Sequence, residues 1–121
     1  MKYLDRALLI GPYVAICRDE KEFRKELLRL KLPRHEWPNF MTKGGYATTH
    51  FLTNTPKGMI CIVCLGSTVG KTRTQIDALL VHEAVHIWQK FVADIGEDHP
   101  GDEMEAYAIQ NLSQSLMESM K

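Results

Sequence analysis

Five consecutive residues, His82-Glu83-Ala84-Val85-His86, combine types and spacing that could do chemistry together. On a helix, positions four apart fall about 40° apart around the axis, one turn along it. His82 and His86 can therefore reach one metal ion. Glu83 projects about 100° from His82, close enough to hold a water beside that ion. Two neutral imidazoles and a carboxylate base are the parts of metal-assisted hydrolysis, and the pattern is H-E-x-x-H. The competing reading is a helix whose two His merely hydrogen-bond in a core.

A catalytic zinc takes a third protein ligand and leaves its fourth position open. The segment Asp102 to Met120 reads as a second helix with the apolar stripe Ala108, Ile109, Leu112 and Leu116. Counted from Glu105 at 100° per residue, these fall at about −60°, +40°, −20° and +20°. Glu105 thus lies on the centre line of the stripe that faces the core, whereas Glu103 projects about 160° away. A lone buried carboxylate is costly unless it is paired or bound to metal, so Glu105 is the expected third ligand. The competing reading is an Arg pair, or a capping box running from Asp102 to Glu105. Glu97, Asp98, His99 and Asp102 are the next candidates for the ligand. Asp102, one turn before Glu105, could instead orient a ligand His.

H-E-x-x-H followed by a glutamate on a later helix resembles the gluzincin metallopeptidases. The gap from His86 to Glu105 is nineteen positions. The string Glu105-Ala106-Tyr107-Ala108 resembles the second-helix signature of compact, single-domain minigluzincins. HEAVHIWQ together with EMEAYAIQ is similar to small phage- or prophage-encoded metallopeptidases. The resemblance covers Thr74 to Gln110. It implies a zincin-like fold, Zn²⁺ held by His82, His86 and Glu105, Glu83 as the catalytic base, and a peptide or protein substrate. The first seventy residues carry no matching signature for transition-state stabilisation; His50, Tyr46 and His99 are the residues available for it.

Two other motifs are decoys. Cys61 and Cys64 form C-x-x-C, but inside an apolar run that reads as a buried strand, where positions three apart point to opposite faces. They are expected to be core cysteines. Gly66 to Thr72 imitates a phosphate-binding loop, yet the glycine required five positions before Gly70 is Leu65, so the cradle is one residue short.

The elements that must position the motif follow from periodicity and punctuation. Thr72 to Ile95 contains neither Gly nor Pro and reads as one helix. Its Ile76, Leu80, Val81, Ala84, Val85, Ile87, Trp88, Phe91 and Val92 make it apolar almost all round, with one polar strip carrying Gln75, His82, His86 and Gln89. Such a helix is central, and its strip is expected to face a cleft. Leu8 to Cys17 is strand-like and broken by Gly11-Pro12. Asp19 or Glu20 opens a helix to about Lys31, and Pro33 follows it. Tyr46 to Thr53 and Met59 to Leu65 read as strands joined by a turn at 54–58, a hairpin. The expected fold class is α+β: one domain, 1–121, with a small, mainly antiparallel sheet packed on two or three helices.

Composition narrows the function classes. The formal net charge is zero, which argues against a nucleic-acid binder working by bulk charge. No apolar stretch approaches the eighteen or so residues of a membrane span, and Asp5 and Arg6 interrupt any signal-like start. Three Cys suggest no disulfide framework, so a reduced, cytoplasmic protein is expected. Besides the zinc metallopeptidase, the alternative is a non-catalytic zinc-binding assembly or regulatory protein that keeps the same triad. A nucleotide-binding module using Lys71 is disfavoured by the short loop.

Overall fold

The structure is a computed structural model and describes residues 1–4 and 12–121. Its elements are β1 (Tyr13–Cys17), α1 (Glu20–Arg29), a single 3₁₀ turn (Arg34–Glu36), β2 (Ala47–Leu52), β3 (Ile60–Leu65), α2 (Arg73–Asp94) and α3 (Asp102–Ser119). The expected strand before Tyr13 falls partly on residues 5–11, which lie outside the described residues.

The three strands form one sheet in the order β1-β3-β2. The expected hairpin is present: β2 pairs antiparallel with β3, with Thr49 opposite Val63. Gly58 closes its turn at φ 82, a conformation that a residue without Cβ adopts freely. β1 pairs parallel with β3, in the register Tyr13↔Ile60 to Cys17↔Cys64. The sheet is therefore mixed rather than mainly antiparallel. Alternation along a strand encodes which face is buried, not the direction of a partner reached through α1 and a long connection. Residues Met1–Leu4 lie along the outer edge of β1, where Leu4 N–H donates to the Val14 carbonyl at 2.8 Å.

Because side chains alternate, the sheet has two cores. On one face Cys17, Leu52, Ile60, Ile62 and Cys64 meet Phe23, Leu27 and Leu30 of α1 and the loop that follows it. On the other, Val14, Cys61 and Val63 meet Leu80, Ala84, Ile87, Trp88 and Phe91 of α2 and Ala108, Leu112 and Leu116 of α3. Leu80 and Ile87 are completely buried, each worth about 1.5–3 kcal/mol of apolar transfer. Cys61 and Cys64 thus fall on opposite faces, as the strand reading requires. Burial pushes the Cys61 thiol up to about 12, so it stays protonated and apolar in its behaviour.

α2 is defined at both ends by its own residues. Thr72 and Gln75 form a reciprocal capping box, Gln75 N–H to Thr72 Oγ1 at 3.1 Å and Thr72 N–H to Gln75 Oε1 at 2.9 Å. At the other end Gly96 turns left-handed, φ 73. Glu97 N–H then reaches the Val92 carbonyl at 2.9 Å and Gly96 N–H the Ala93 carbonyl at 3.2 Å. The chain reverses into α3, which runs antiparallel to α2. The Arg73 guanidinium at the start of α2 lies 3.5 Å from the Met117 carbonyl near the end of α3, while Trp88 contacts Glu105 in the first turns of α3. No helix among the described residues is long and apolar enough to cross a membrane.

Candidate metal centre

The motif lies in the middle of α2, fixed by the packing of its other faces. Leu80, Ala84, Ile87, Trp88 and Phe91 are buried and span an arc of about 100°. One edge of that arc is Trp88, on the flank that meets α3. Just past the other edge is Glu83, on the flank that meets β2. His82 and His86 lie on the opposite side of the helix and are both exposed. The polar strip therefore opens to solvent between two flanks, instead of being closed beneath other elements.

The imidazoles are already convergent. His82 Nε2 and His86 Nε2 are 3.1 Å apart, and the rings meet edge to face with centroids at 4.7 Å. Two nitrogens each about 2.05 Å from one ion in tetrahedral geometry stand roughly 3.3 Å apart, so the pair has the spacing that an ion requires. His86 Nδ1 lies 3.2 Å from Gln89 Oε1. With that oxygen accepting, the proton sits on Nδ1 and the Nε2 lone pair of His86 is free, the tautomer in which Nε2 could bind an ion.

Glu83 completes the group. One ligand atom each from His82, Glu83 and His86 lie within 4.8 Å of one another, and among the described residues they are the one such group able to hold a metal ion. Glu83 is only 3% exposed, although both His are open. Thr49 Oγ1, on the β2 face turned to α2, donates to its Oε1 at 3.3 Å. Alternation along β2 marks Thr49 as sharing a face with Ala47 and Phe51. Only the docking of α2 shows that this is the face beside the motif, so sequence reasoning missed Thr49.

Glu105 is placed differently from the expectation. It belongs to the first turns of α3, as its spacing required, but it is exposed and lies outside the close group. Its Oε2 accepts a hydrogen bond from Trp88 Nε1 at 2.8 Å. The buried residues of α3 begin at Ala108, and Glu105, one turn earlier, is exposed. Periodicity gives an angle around the helix axis; it does not say where along the axis burial ends.

The candidates for transition-state stabilisation also separate. His50 faces the opposite side of the sheet, stacked on Phe23 with centroids at 5.0 Å, its Nε2 donating to the Phe40 carbonyl at 3.0 Å. It is part of the α1 core and cannot reach Glu83. Tyr46 stands exposed just before β2, under the Lys71 ammonium at 3.5 Å from the ring centroid. His99 and Asp102 are exposed in the α2–α3 turn and the start of α3. Against known proteins, no family model, no curated protein and no solved structure matches the chain.

Proposed function

We propose that the protein is a zinc-dependent metallopeptidase of the gluzincin type, with a zincin-like fold, hydrolysing peptide amide bonds. The observation that carries this reading is the convergence of His82 Nε2 and His86 Nε2 at 3.1 Å with the Glu83 carboxylate beside them. His82 and His86 are two protein ligands, and Glu105 is the third. When bound there, zinc supplies Lewis acidity, lowering the pKa of a water toward about 7 and polarising a carbonyl.

The chain's own residues supply the rest. Glu83 accepts the proton of the attacking water and returns it to the leaving amine. Thr49 holds Glu83 Oε1, which leaves Oε2 for that proton. Gln89 fixes the tautomer of His86. β2 is an edge strand of the sheet, and no strand pairs with its outer edge among the described residues. An extended peptide adding there by main-chain hydrogen bonds would pass Thr49 and bring an amide next to Glu83.

A second reading has one observation in its favour. Glu83 stands inside the close group and Glu105 outside it, so Glu83 itself could serve as the third ligand of a non-catalytic zinc site. Zinc titration of wild type and Glu83→Gln separates the two, alongside mass-spectrometric detection of cleavage in a mixed peptide pool. The peptidase reading expects one zinc per chain in both proteins and cleavage only by wild type. Loss of zinc from Glu83→Gln makes Glu83 a ligand and removes the proposed base.

A further inference from the structure

Trp88 is 2% exposed, and its ring is packed between α2, α3 and the sheet. A buried indole N–H needs an acceptor, because it has given up water. The acceptor here is Glu105 Oε2 at 2.8 Å. Glu105 is exposed, and no cation pairs with its carboxylate among the described residues. Among the described residues, that hydrogen bond is the one side-chain contact that fixes the exposed carboxylate. That bond draws it to the flank of α2 that carries Trp88, about 120–160° around the helix from the His pair. Trp88, two positions past the motif, and Glu105, on the next helix, are neighbours only because the α2–α3 turn brings them together.

We propose that the Trp88 indole is a latch on Glu105. In the metal-free protein it holds the carboxylate away from His82 and His86, and loading the His pair transfers Glu105 from the indole to the ion. This rests on the reading of Glu105 as the third ligand. Trp88 is a positioning residue that touches neither metal nor substrate. Metal binding must then break a charge-assisted hydrogen bond and strand a buried donor, so the latch lowers zinc affinity. The state competent to bind with three ligands is a minor one until the latch opens, and the apparent affinity falls by its population.

Zinc affinity measured by calorimetry in wild type, Trp88→Phe, Glu105→Ala and the double variant tests the latch. Phenylalanine keeps a large ring in the core but has no N–H. Trp88→Phe should bind zinc about tenfold more tightly than wild type, the worth of one hydrogen bond to a charged group. Glu105→Ala should bind it more weakly, and adding Trp88→Phe to Glu105→Ala should change nothing further. In wild type, the indole ¹H–¹⁵N resonance of Trp88 should move on zinc addition. That of Trp37, whose N–H is held by the Leu32 carbonyl at 2.8 Å, should stay. This second readout requires no variant to fold. If Glu105→Ala weakens binding while Trp88→Phe leaves it unchanged or weakens it, or if the Trp88 resonance does not move, the latch alone is overturned. If Glu105→Ala leaves affinity unchanged, or wild type takes up no zinc, the ligand assignment fails and the latch falls with it.

Discussion

Among the described residues two glutamates are buried, one on each side of the sheet, and they are treated in opposite ways. Glu26, on α1, is 4% exposed and Glu83, on α2, 3%. Glu26 is surrounded by donors: Arg29 Nε at 2.7 Å, Arg29 Nη2 at 2.6 Å and Tyr3 Oη at 2.5 Å. Among the described residues Glu83 has one, Thr49 Oγ1 at 3.3 Å. Taking a carboxylate out of water costs several kcal/mol unless hydrogen bonds and an opposite charge replace the lost hydration. Glu26 has those replacements and ties the N-terminal segment to α1 through Tyr3. Its oxygens are committed, and it has nothing to offer a ligand. Glu83 is incompletely partnered, and the groups beside it are two convergent imidazoles. The difference teaches that burial alone does not single out a candidate functional carboxylate; burial with free acceptor capacity beside two convergent imidazoles does.

The largest effect that could break this contrast is on turnover. Glu83→Gln should lower peptide hydrolysis by about 10²–10⁴-fold, the usual worth of a general base, while zinc stays bound. The metal-free variant should be as stable as wild type or more so, since it removes an under-partnered buried charge. A marked fall in its melting temperature would mean that Glu83 is held as firmly as Glu26.

Next comes metal affinity. His82→Ala and His86→Ala should each weaken zinc binding by more than about 100-fold, beyond the range of outer-sphere partners, whereas Gln89→Ala should cost about 10-fold. Competition with a chelator measures both. Equal effects from Gln89→Ala and His86→Ala would show that the ion sits elsewhere.

On the other face the effect is on stability. Glu26→Gln should destabilise the protein by about 1–3 kcal/mol in urea unfolding, because Tyr3 and Arg29 lose a charged acceptor. The value stays in that range, below the cost of breaking a fully buried pair, because the Arg29 side chain is 60% exposed and can find water. No effect on zinc binding is expected.

The smallest test is the pH dependence of that difference. Burial opposes ionisation of Glu26, but the hydrogen bonds from Arg29 and Tyr3, with the charge of Arg29, outweigh it and hold the carboxyl below its ordinary range. A depressed folded value means that the unfolded chain binds the proton more readily. The contribution is then complete above the unfolded value of about 4.3 and is lost as pH falls through the folded value. The stability gap between wild type and Glu26→Gln should stay constant from neutral pH down to about 5 and shrink below it. A gap that widens on acidification would reverse the sign and require Glu26 to be protonated in the fold.

Much of the candidate site was legible because it is local. An i, i+4 pair, the glutamate between them and a helix with a Thr72–Gln75 cap and a Gly96 stop depend on backbone geometry within one element, which the sequence carries directly. The hairpin, both long helices and the opposite orientations of Cys61 and Cys64 follow from periodicity for the same reason. Tertiary structure decided what periodicity cannot encode. The parallel pairing of β1 with β3 depends on the path of an intervening connection. The assignment of Thr49 to Glu83, and of His50 to the α1 core, depends on which face of an alternating strand each helix covers. Glu105 lies at the angle its stripe dictates, yet it is exposed and held by Trp88. An angle around a helix is a property of spacing, whereas how far along the helix burial extends is decided by what packs against it.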